Sequence, residues 1–366
     1  MAVYTTLLVV IALAASALAY VGIRTVRESR DGRAVSTITD PALPGFEALL
    51  APTPTLAILH GEGDELVSAA VLALNSGDAG GSVIVVPPAT KTSATTSAFS
   101  IAFVTREGQS GTLADAVAPL QAVVGVGLAE SVRIDDARWA ELVAPVAPIR
   151  IENPDAVPGF EAGSLELAAE EVGPYLAARR EGESALAQAF RQQVFYEAWI
   201  DAVAASGDLA AAVPGEVDSG IGRFVRGLAA GQRTVTTLPV EETEVAEGGT
   251  RLDVDQEAWD ALLPTLVPFP TASAPGLRVR VRLLDGTGDP DHVLMVAPLL
   301  IPAAAEVVVV GNAQSFDYEE TQIRYHVPEL RAAAQAFREA LGTGEVVDDP
   351  RQTDAFDVTI VLGTDV

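Results

Sequence analysis

The chain has 366 residues, of which 49% are hydrophobic and 5% aromatic, and 50 acidic residues against 23 basic ones give a net charge of −27. Because so much negative charge repels phosphate backbones, we expect no nucleic acid partner. The sequence contains no cysteine, which excludes disulfides, thiol catalysis and cysteine-ligated metals.

The first predicted element is an apolar segment without charged side chains, Ala2 to Ile23. As a helix it would be about 33 Å long, enough to cross a bilayer, so we expect a single transmembrane helix over residues 1–24. Two alternatives stay open. Ala17-Leu18-Ala19 is typical of a signal-peptidase site. The four arginines between residues 24 and 33 favour retention of the following domains in the cytoplasm.

Prolines are frequent in two stretches and predict two linkers, residues 25–54 and 241–275, the second with a helix near residues 256–263 between its parts. Between them, residues 55–240 alternate short apolar runs with helical patterns, which predicts an α/β sandwich. The expected strands are 55–59, 70–74, 82–86, 131–134 and 149–151. The expected helices are 112–124, 136–143, 164–178 and 184–205.

Residues 276–366 predict a small βαββαβ domain, with helices at 291–304 and 328–341. Asp285-Gly286-Thr287-Gly288 precedes the first of these helices. It lacks the lysine and the spacing of a phosphate-binding loop, so it is interpreted as a structural turn. The three histidines are far apart in sequence, and we expect no metal site.

Three blocks of the C-terminal domain resemble the LytR C-terminal domain. They are Val281–Gly288, Val309–Ala313 with the Phe316-Asp317-Tyr318 that follows, and Asp357–Asp365.

The preceding region resembles the LytR–CpsA–Psr (LCP) domain in four blocks. They are Gly127–Asp136, Tyr175–Arg179, Phe190–Gln193 and Thr236–Pro239. The resemblance implies an outward-facing cell-envelope protein of the cell membrane. LCP proteins transfer glycopolymers from a polyprenyl-pyrophosphate carrier to peptidoglycan, with arginines on the pyrophosphate and a divalent cation held by acidic residues. The residues it implies for binding are Arg179, Arg191, Gln192 and Gln193.

Several charged positions of the LCP pattern are replaced in this chain. The family's Pro-Arg-Asp-Thr is Pro87-Pro88-Ala89-Thr90, the first arginine of its Tyr-x-Arg-x-Arg motif is Ala177, and Gln188 stands where another arginine is usual. At about 1.5–3 kcal/mol for each charged hydrogen bond, such losses remove most of the phosphate affinity. We therefore expect a degenerate LCP domain with no catalytic residue, metal ligand or cofactor.

The function expected is that of a non-catalytic binding or regulatory module in cell-wall assembly. Its expected partners are the membrane, a polyprenyl-linked lipid or wall polymer, and other envelope proteins. One alternative is an active LCP phosphotransferase that uses Mg²⁺, and another is a cytoplasm-facing, membrane-tethered binding module. Arg191 beside Glu183 and Glu197 also fits a plain surface ion pair, and Arg179 fits an exposed helix end.

Overall fold

The computed structural model describes residues 38–62, 65–92, 113–245, 249–289, 291–350 and 356–366. The expected transmembrane helix and the first part of the expected linker lie outside these ranges. Within them, no helix has both the length and the hydrophobicity needed to cross a bilayer. The described residues form two compact units. We call residues 52–277 the large unit, and residues 38–51 together with 278–366 the split unit.

The described strands, in chain order, are β1 (Glu47–Leu49), β2 (Thr55–Glu62), β3 (Glu65–Leu74), β4 (Gly81–Val86), β5 (Glu130–Ile134), β6 (Ile149–Asn153), β7 (Gly163–Leu167), β8 (Arg233–Thr237), β9 (Val240–Val245), β10 (Gly249–Val254), β11 (Val279–Asp285), β12 (Ala305–Asn312), β13 (Gln322–Tyr325), β14 (Glu345–Asp348) and β15 (Val358–Leu362). The described α-helices are α1 (Val117–Val124), α2 (Asp136–Val143), α3 (Val172–Ala177), α4 (Ala185–Ala205), α5 (Leu209–Ala212), α6 (Gly220–Ala230), α7 (Gln256–Leu266), α8 (His292–Leu300) and α9 (Arg331–Leu341). Short 3₁₀ turns precede α1, α3 and α9 and follow α2.

The large unit is built on a five-stranded sheet with the order β5-β2-β3-β4-β8. Only β3 runs antiparallel to its neighbours. One sheet face packs against α2, α3, α4 and α6 in a single apolar core. On the other face Ser82 donates a hydrogen bond to the Leu266 carbonyl of α7, and Trp259 of α7 donates one to Val124 of α1. Helices therefore cover both faces, which confirms the mixed α/β fold.

Because β2, β4, β5 and β8 are parallel, their carboxyl ends lie at one edge of the sheet, where β3 begins. Open α/β sheets bind ligands at this edge. His60 is the last residue of β2 that pairs with β5, where it lies beside Ile134, and Ser68 of β3 lies directly opposite His60. The topology thus gathers the ends of these strands and the start of α2 in one place.

The helix expected over residues 164–178 is wrong in its first part. Residues 163–167 form β7, which pairs antiparallel with β6, and α3 begins only at Val172. Leu165 and Leu167 are less exposed than their neighbours Ser164 and Glu166, which is the two-residue period of a strand. The glutamate- and alanine-rich composition suggested a helix, but pairing with β6 decides the structure.

The expected linker at residues 241–275 contains a β-hairpin that was not predicted, and the helix expected near residues 256–263 is confirmed. Strands β9 and β10 pair antiparallel over their described length, and α7 follows. Leu252 of β10 is buried and forms a parallel bridge with Thr90, just beyond β4. The exposed positions of the hairpin are mostly acidic, so the sequence shows no apolar strand pattern there. Burial of Leu252 fixes the hairpin to the unit.

The split unit has a six-stranded sheet with the order β1-β12-β11-β15-β13-β14. Strands β12, β11 and β15 are parallel, and β13 is antiparallel to β15. From β11 onwards the element order is as predicted, with α8 and α9 as its helices. Asp285 closes the turn after β11, because its carboxylate accepts hydrogen bonds from the backbone of Thr287 and Gly288.

One edge of this sheet comes from the stretch expected to be a juxtamembrane linker. β1 pairs antiparallel with β12, so the residues before the large unit belong structurally with the C-terminal residues. The prolines of this stretch indicated an irregular chain, and only three residues are paired as a strand. Because β1 and β12 are far apart in sequence, no local sequence pattern predicts their pairing.

Candidate functional site

The candidate site lies where the start of α4 meets the carboxyl edge of the large unit's sheet. Helix α4 begins after Ser184, whose hydroxyl accepts a hydrogen bond from the Ala187 N–H and so caps the helix. Its buried face carries three polar side chains in the first two turns, Gln188, Arg191 and Gln192. Aromatic residues occupy the same face further along the helix. The polar side chains therefore lie near the sheet edge.

Arg191 is the centre of this group, and its side chain is 1% exposed. Its guanidinium donates hydrogen bonds to both carboxylate oxygens of Glu183, one of them at 3.4 Å, and to the carbonyl oxygen of Ala178. The Glu183 side chain is fully buried. Arg191 therefore forms a buried ion pair with the loop between α3 and α4, rather than the surface pair weighed from the sequence.

The pKa of Glu183 reflects this partner. Burial disfavours the charged carboxylate and raises its pKa. The hydrogen bonds from Arg191 and from the Arg180 backbone N–H, at 3.0 Å, together with the charges of both arginines, outweigh burial. The pKa of Glu183 is therefore lowered below its ordinary value. Glu183 is held ionised, and its charge compensates that of Arg191.

Gln188 and Gln192 act on the backbone of neighbouring elements. Both side-chain amides donate to the carbonyl oxygen of Leu176, at 3.1 and 3.0 Å, and Gln192 also donates to that of Val67 at 3.2 Å. These bonds satisfy the C-terminal end of α3 and tie it to β3. The structure brings Gln192 beside Arg191, but its amide donors are already used.

Gln193 faces a different part of the unit. Its amide donates to the Val235 carbonyl of β8 at 3.2 Å and to Glu197 at 3.1 Å, and its oxygen accepts a bond from the Thr237 hydroxyl at 2.9 Å. Among the described strands β8 lies at the edge of the sheet, so Gln193 covers backbone groups that none of these strands pairs. Gln193 does not join the Arg191 group.

Arg179 lies on the same loop as Glu183, to whose carbonyl oxygen it donates a hydrogen bond of 3.1 Å. Its neighbour Arg180 is exposed, with Asp155 at 3.8 Å. Of the four residues implied by the resemblance, Arg191 and Gln192 lie together in the interior. Arg179 lies on the loop outside this interior pair, and Gln193 lies elsewhere.

The segment after β4, where the resemblance to the LCP pattern implies a charged motif, has no charged side chain between residues 87 and 90. The Thr90 hydroxyl donates to the Pro87 carbonyl at 2.7 Å, which closes a turn. The Lys91 N–H donates to the Leu252 carbonyl of β10 at 2.8 Å. This segment is held by backbone contacts and presents no phosphate ligand from these four residues.

Behind the polar group, aromatic side chains fill the interior between α4 and α2. Trp139 of α2 packs against Phe195, Tyr196 and Trp199, with ring centroids 5.4 to 6.1 Å apart. All four are at most 1% exposed. Burial raises the pKa of the Tyr196 hydroxyl, so Tyr196 stays neutral at physiological pH.

A pair that the sequence did not indicate lies at the same edge. The buried His60 ring lies with Nε2 2.9 Å from an Asp136 carboxylate oxygen and meets Trp139 edge-on. Gly173 of α3 allows the approach of Asp136, because a Cβ there would lie 2.2 Å from the same carboxylate oxygen. The residues are 76 positions apart. Only the adjacency of the ends of β2 and β5 could have suggested their contact.

The described residues do not fit a divalent cation. Within the described ranges, no three histidine or acidic side chains converge as metal ligands would. The Asp136 carboxylate already binds His60, and that of Glu183 binds Arg191. No step of a metal-assisted reaction can be assigned to these side chains.

Two surface clefts of about 460 and 390 Å³ run along the outer side of α4. They share Glu197 and Asp201, and their linings contain neither Arg191 nor Gln192. The residues implied by the resemblance therefore do not open into either of these clefts.

Residues 278–365 match the family model described as LytR cell envelope-related transcriptional attenuator. The C-terminal part of the chain is thus a LytR C-terminal domain, as its motifs predicted. No curated protein sequence matches the chain at a significant level.

Solved structures with a similar backbone fold include TagT and TagV of B. subtilis and a LytR-Csp2A-Psr enzyme from Actinomyces oris. TagT is 14% identical over 63% of this chain and 94% of its own, with a TM-score of 0.45. TagV is 14% identical over 60% and 97%, with a TM-score of 0.46. The Actinomyces oris enzyme is 16% identical over 62% and 96%, with a TM-score of 0.43. These likenesses carry no information on activity.

Proposed function

We propose that the chain is a membrane-anchored, outward-facing cell-envelope protein that acts in cell-wall assembly as a binding or regulatory module without transferase activity. Its LytR C-terminal domain supports the connection with the cell envelope. The uncharged segment from Ala2 to Ile23 supports the anchor. The proposed partners are a polyprenyl-linked lipid or wall polymer and other envelope proteins.

The observation that carries the absence of transfer is the ion pair of Arg191 with Glu183. An arginine binds a phosphate through the same N–H groups that here bind a carboxylate. A pyrophosphate could reach Arg191 only by displacing Glu183, which would leave that carboxylate charged and without its partner. Each charged hydrogen bond contributes about 1.5–3 kcal/mol, so this competition removes the gain that binding would bring.

Two further features of the large unit support the same proposal. The segment from Pro87 to Thr90 supplies no charged side chain. The interior behind Gln192 is filled by tightly packed aromatic rings, including Trp139 and Trp199. A bound polyprenyl tail would have to displace these rings, which is costly in a close-packed core.

The proposal is tested with the full chain in detergent, a glycopolymer on a polyprenyl-pyrophosphate carrier, peptidoglycan and Mg²⁺. We expect no polymer transfer above the protein-free control, while an active LCP transferase in parallel gives product. Transfer by this chain that is lost in Arg191→Met would overturn the proposal and establish the active phosphotransferase instead.

Orientation is tested separately with reporters fused after Val366. We expect activity of a phosphatase that works only outside the cytoplasm. Fluorescence of a cytosolic reporter in its place would establish the cytoplasm-facing alternative.

Residual binding of a pyrophosphate lipid through Arg179, Arg191, Gln192 and Gln193 stays a prediction. It is tested by comparing retention of a radiolabelled polyprenyl pyrophosphate by the wild-type chain and by Arg179→Met and Arg191→Met. Retention that is unchanged by both substitutions would place any lipid elsewhere on the chain.

A further inference from the structure

The split unit is completed by a segment that lies outside its family match. Residues 278–365 carry the LytR C-terminal domain, yet β1, at one edge of its sheet, comes from residues 47–49. The whole large unit separates the two in sequence. The C-terminal domain therefore presents the β12 edge as an acceptor, and an extended segment from elsewhere in the chain fills it.

Backbone hydrogen bonds hold this segment along β12 and beyond the paired strand. Asn312 N–H donates to the Phe46 carbonyl at 2.7 Å, and Leu50 N–H donates to the Val308 carbonyl at 3.0 Å. Gly45 N–H extends the ladder to the carbonyl of the residue after β12, at 2.7 Å. Such main-chain bonds give affinity for an extended chain, and side-chain contacts then select its sequence.

Side chains of the acceptor add a second set of contacts. The Asn312 amide donates to the carbonyl oxygens of Pro41 and Leu43, both at 2.8 Å. Arg282 of β11 donates a hydrogen bond to the Glu47 carboxylate, whose side chain is 6% exposed. The acceptor thus holds two carbonyl groups ahead of the strand and binds a carboxylate within it.

Gly311 allows the segment to approach closely. A Cβ at this position would lie 2.1 Å from the Phe46 carbonyl oxygen, a distance that no side chain tolerates. All the acceptor groups, Arg282, Gly311 and Asn312, lie within the family match, and all the groups they hold lie outside it. A separate domain that binds an extended segment along a sheet edge is the arrangement called strand addition.

We propose that the LytR C-terminal domain of this chain is a strand-acceptor module. It binds an extended peptide with a glutamate opposite Arg282, and residues 41–50 of the same chain are its ligand. The proposal names a ligand for the binding module. It does not depend on whether the large unit transfers polymer, so the two are tested independently.

Because the chain contains no cysteine, no native thiol competes with those introduced for the test. Ala48 lies directly opposite Val310. Paired residues of antiparallel strands have Cα atoms about 4.5–5.5 Å apart, within the range that a disulfide bridges. The full chain carries Glu47→Ala, which weakens its own segment, together with Val310→Cys. A synthetic peptide of residues 38–51 carries Ala48→Cys.

In a glutathione redox buffer we expect the peptide to form a mixed disulfide with the chain at least tenfold more than a peptide of scrambled order. A peptide that also carries Glu47→Ala should be captured several-fold less, because it lacks the carboxylate for Arg282. Equal capture of native and scrambled peptides, with the thiol introduced by Val310→Cys reactive towards a maleimide, would overturn the proposal. The pair Leu50→Cys and Val308→Cys repeats the test if Val310→Cys does not fold.

A second copy of the chain is the other source of such a strand. Chains carrying only Ala48→Cys are mixed with chains carrying only Val310→Cys. We expect them to remain monomeric, while the variant with both substitutions closes an internal disulfide. Disulfide-linked dimers would overturn the assignment of the ligand to the same chain.

Discussion

Replacing Glu183 by alanine isolates the energetic role of the buried ion pair. The Arg191 side chain is 1% exposed, and the variant leaves its guanidinium with the Ala178 carbonyl as its remaining hydrogen-bond partner among the described residues. Removing one member of a buried pair costs about 3–5 kcal/mol. Since domains have about 5–15 kcal/mol of stability, the loss is a large share of the total.

The assay is urea unfolding followed by tryptophan fluorescence. Trp139, Trp199 and Trp259 are the only tryptophans of the chain, and all belong to the large unit, so the signal reports this unit alone. With a slope of about 2–3 kcal/mol per molar urea, the unfolding midpoint should fall by about 1–2.5 M.

The matched control removes both charges. In Arg191→Met with Glu183→Leu, no buried charge is left without a partner, and apolar side chains of similar size fill the space. We expect the free energy of unfolding of this double variant to differ from that of the wild type by no more than about 2 kcal/mol. The reasoning is refuted if Glu183→Ala costs less than about 1 kcal/mol, or if the double variant is as unstable as the single one.

Three further predictions concern the same unit. Gly173→Ala places a Cβ 2.7 Å from the Cα of Asp136, so α3 must shift. We expect the free energy of unfolding, measured in urea, to fall by about 1–3 kcal/mol. Arg223→Met removes two hydrogen bonds of 2.9 Å to the part-exposed Asp78, and we expect the free energy of unfolding to fall by about 1 kcal/mol in the same measurement. Because the pKa of Glu183 is lowered, its ionised form stabilises the fold at neutral pH and loses this effect as pH falls below about 4.5. The stability gap between wild type and Glu183→Gln should therefore narrow as the pH is lowered from neutral to strongly acidic; a constant gap would contradict the cause assigned to the shift.

The apolar strands of the large unit could be predicted from the sequence because each is buried on both faces. The runs at 55–59, 70–74 and 82–86 all lie within observed strands, and β4 has no exposed residue. A continuous apolar run is the pattern that such burial produces. The helices at 136–143 and 184–205 were also predicted nearly to the residue, since Asp135 and Ser184 are good capping residues.

The sequence named residues of the candidate site but not their burial. Glu183 was weighed as a surface partner of Arg191, whereas the structure buries both side chains. Whether such a glutamate turns inwards depends on the path of the loop between α3 and α4. His60 and Asp136 came together only through the sheet order, which no local pattern encodes.

The position of β1 also governs the order in which the chain can fold during synthesis. Leu49 leaves the ribosome early, and its partner Val309 follows 260 positions later. At the usual 5–20 residues per second, this interval lasts roughly 13–50 s. The large unit can be complete before β12 exists, and through that time residues 41–50 are available to any other strand edge nearby. Until β12 has been made, the backbone groups of Glu47 to Leu49 lack the partners that they have in the folded chain.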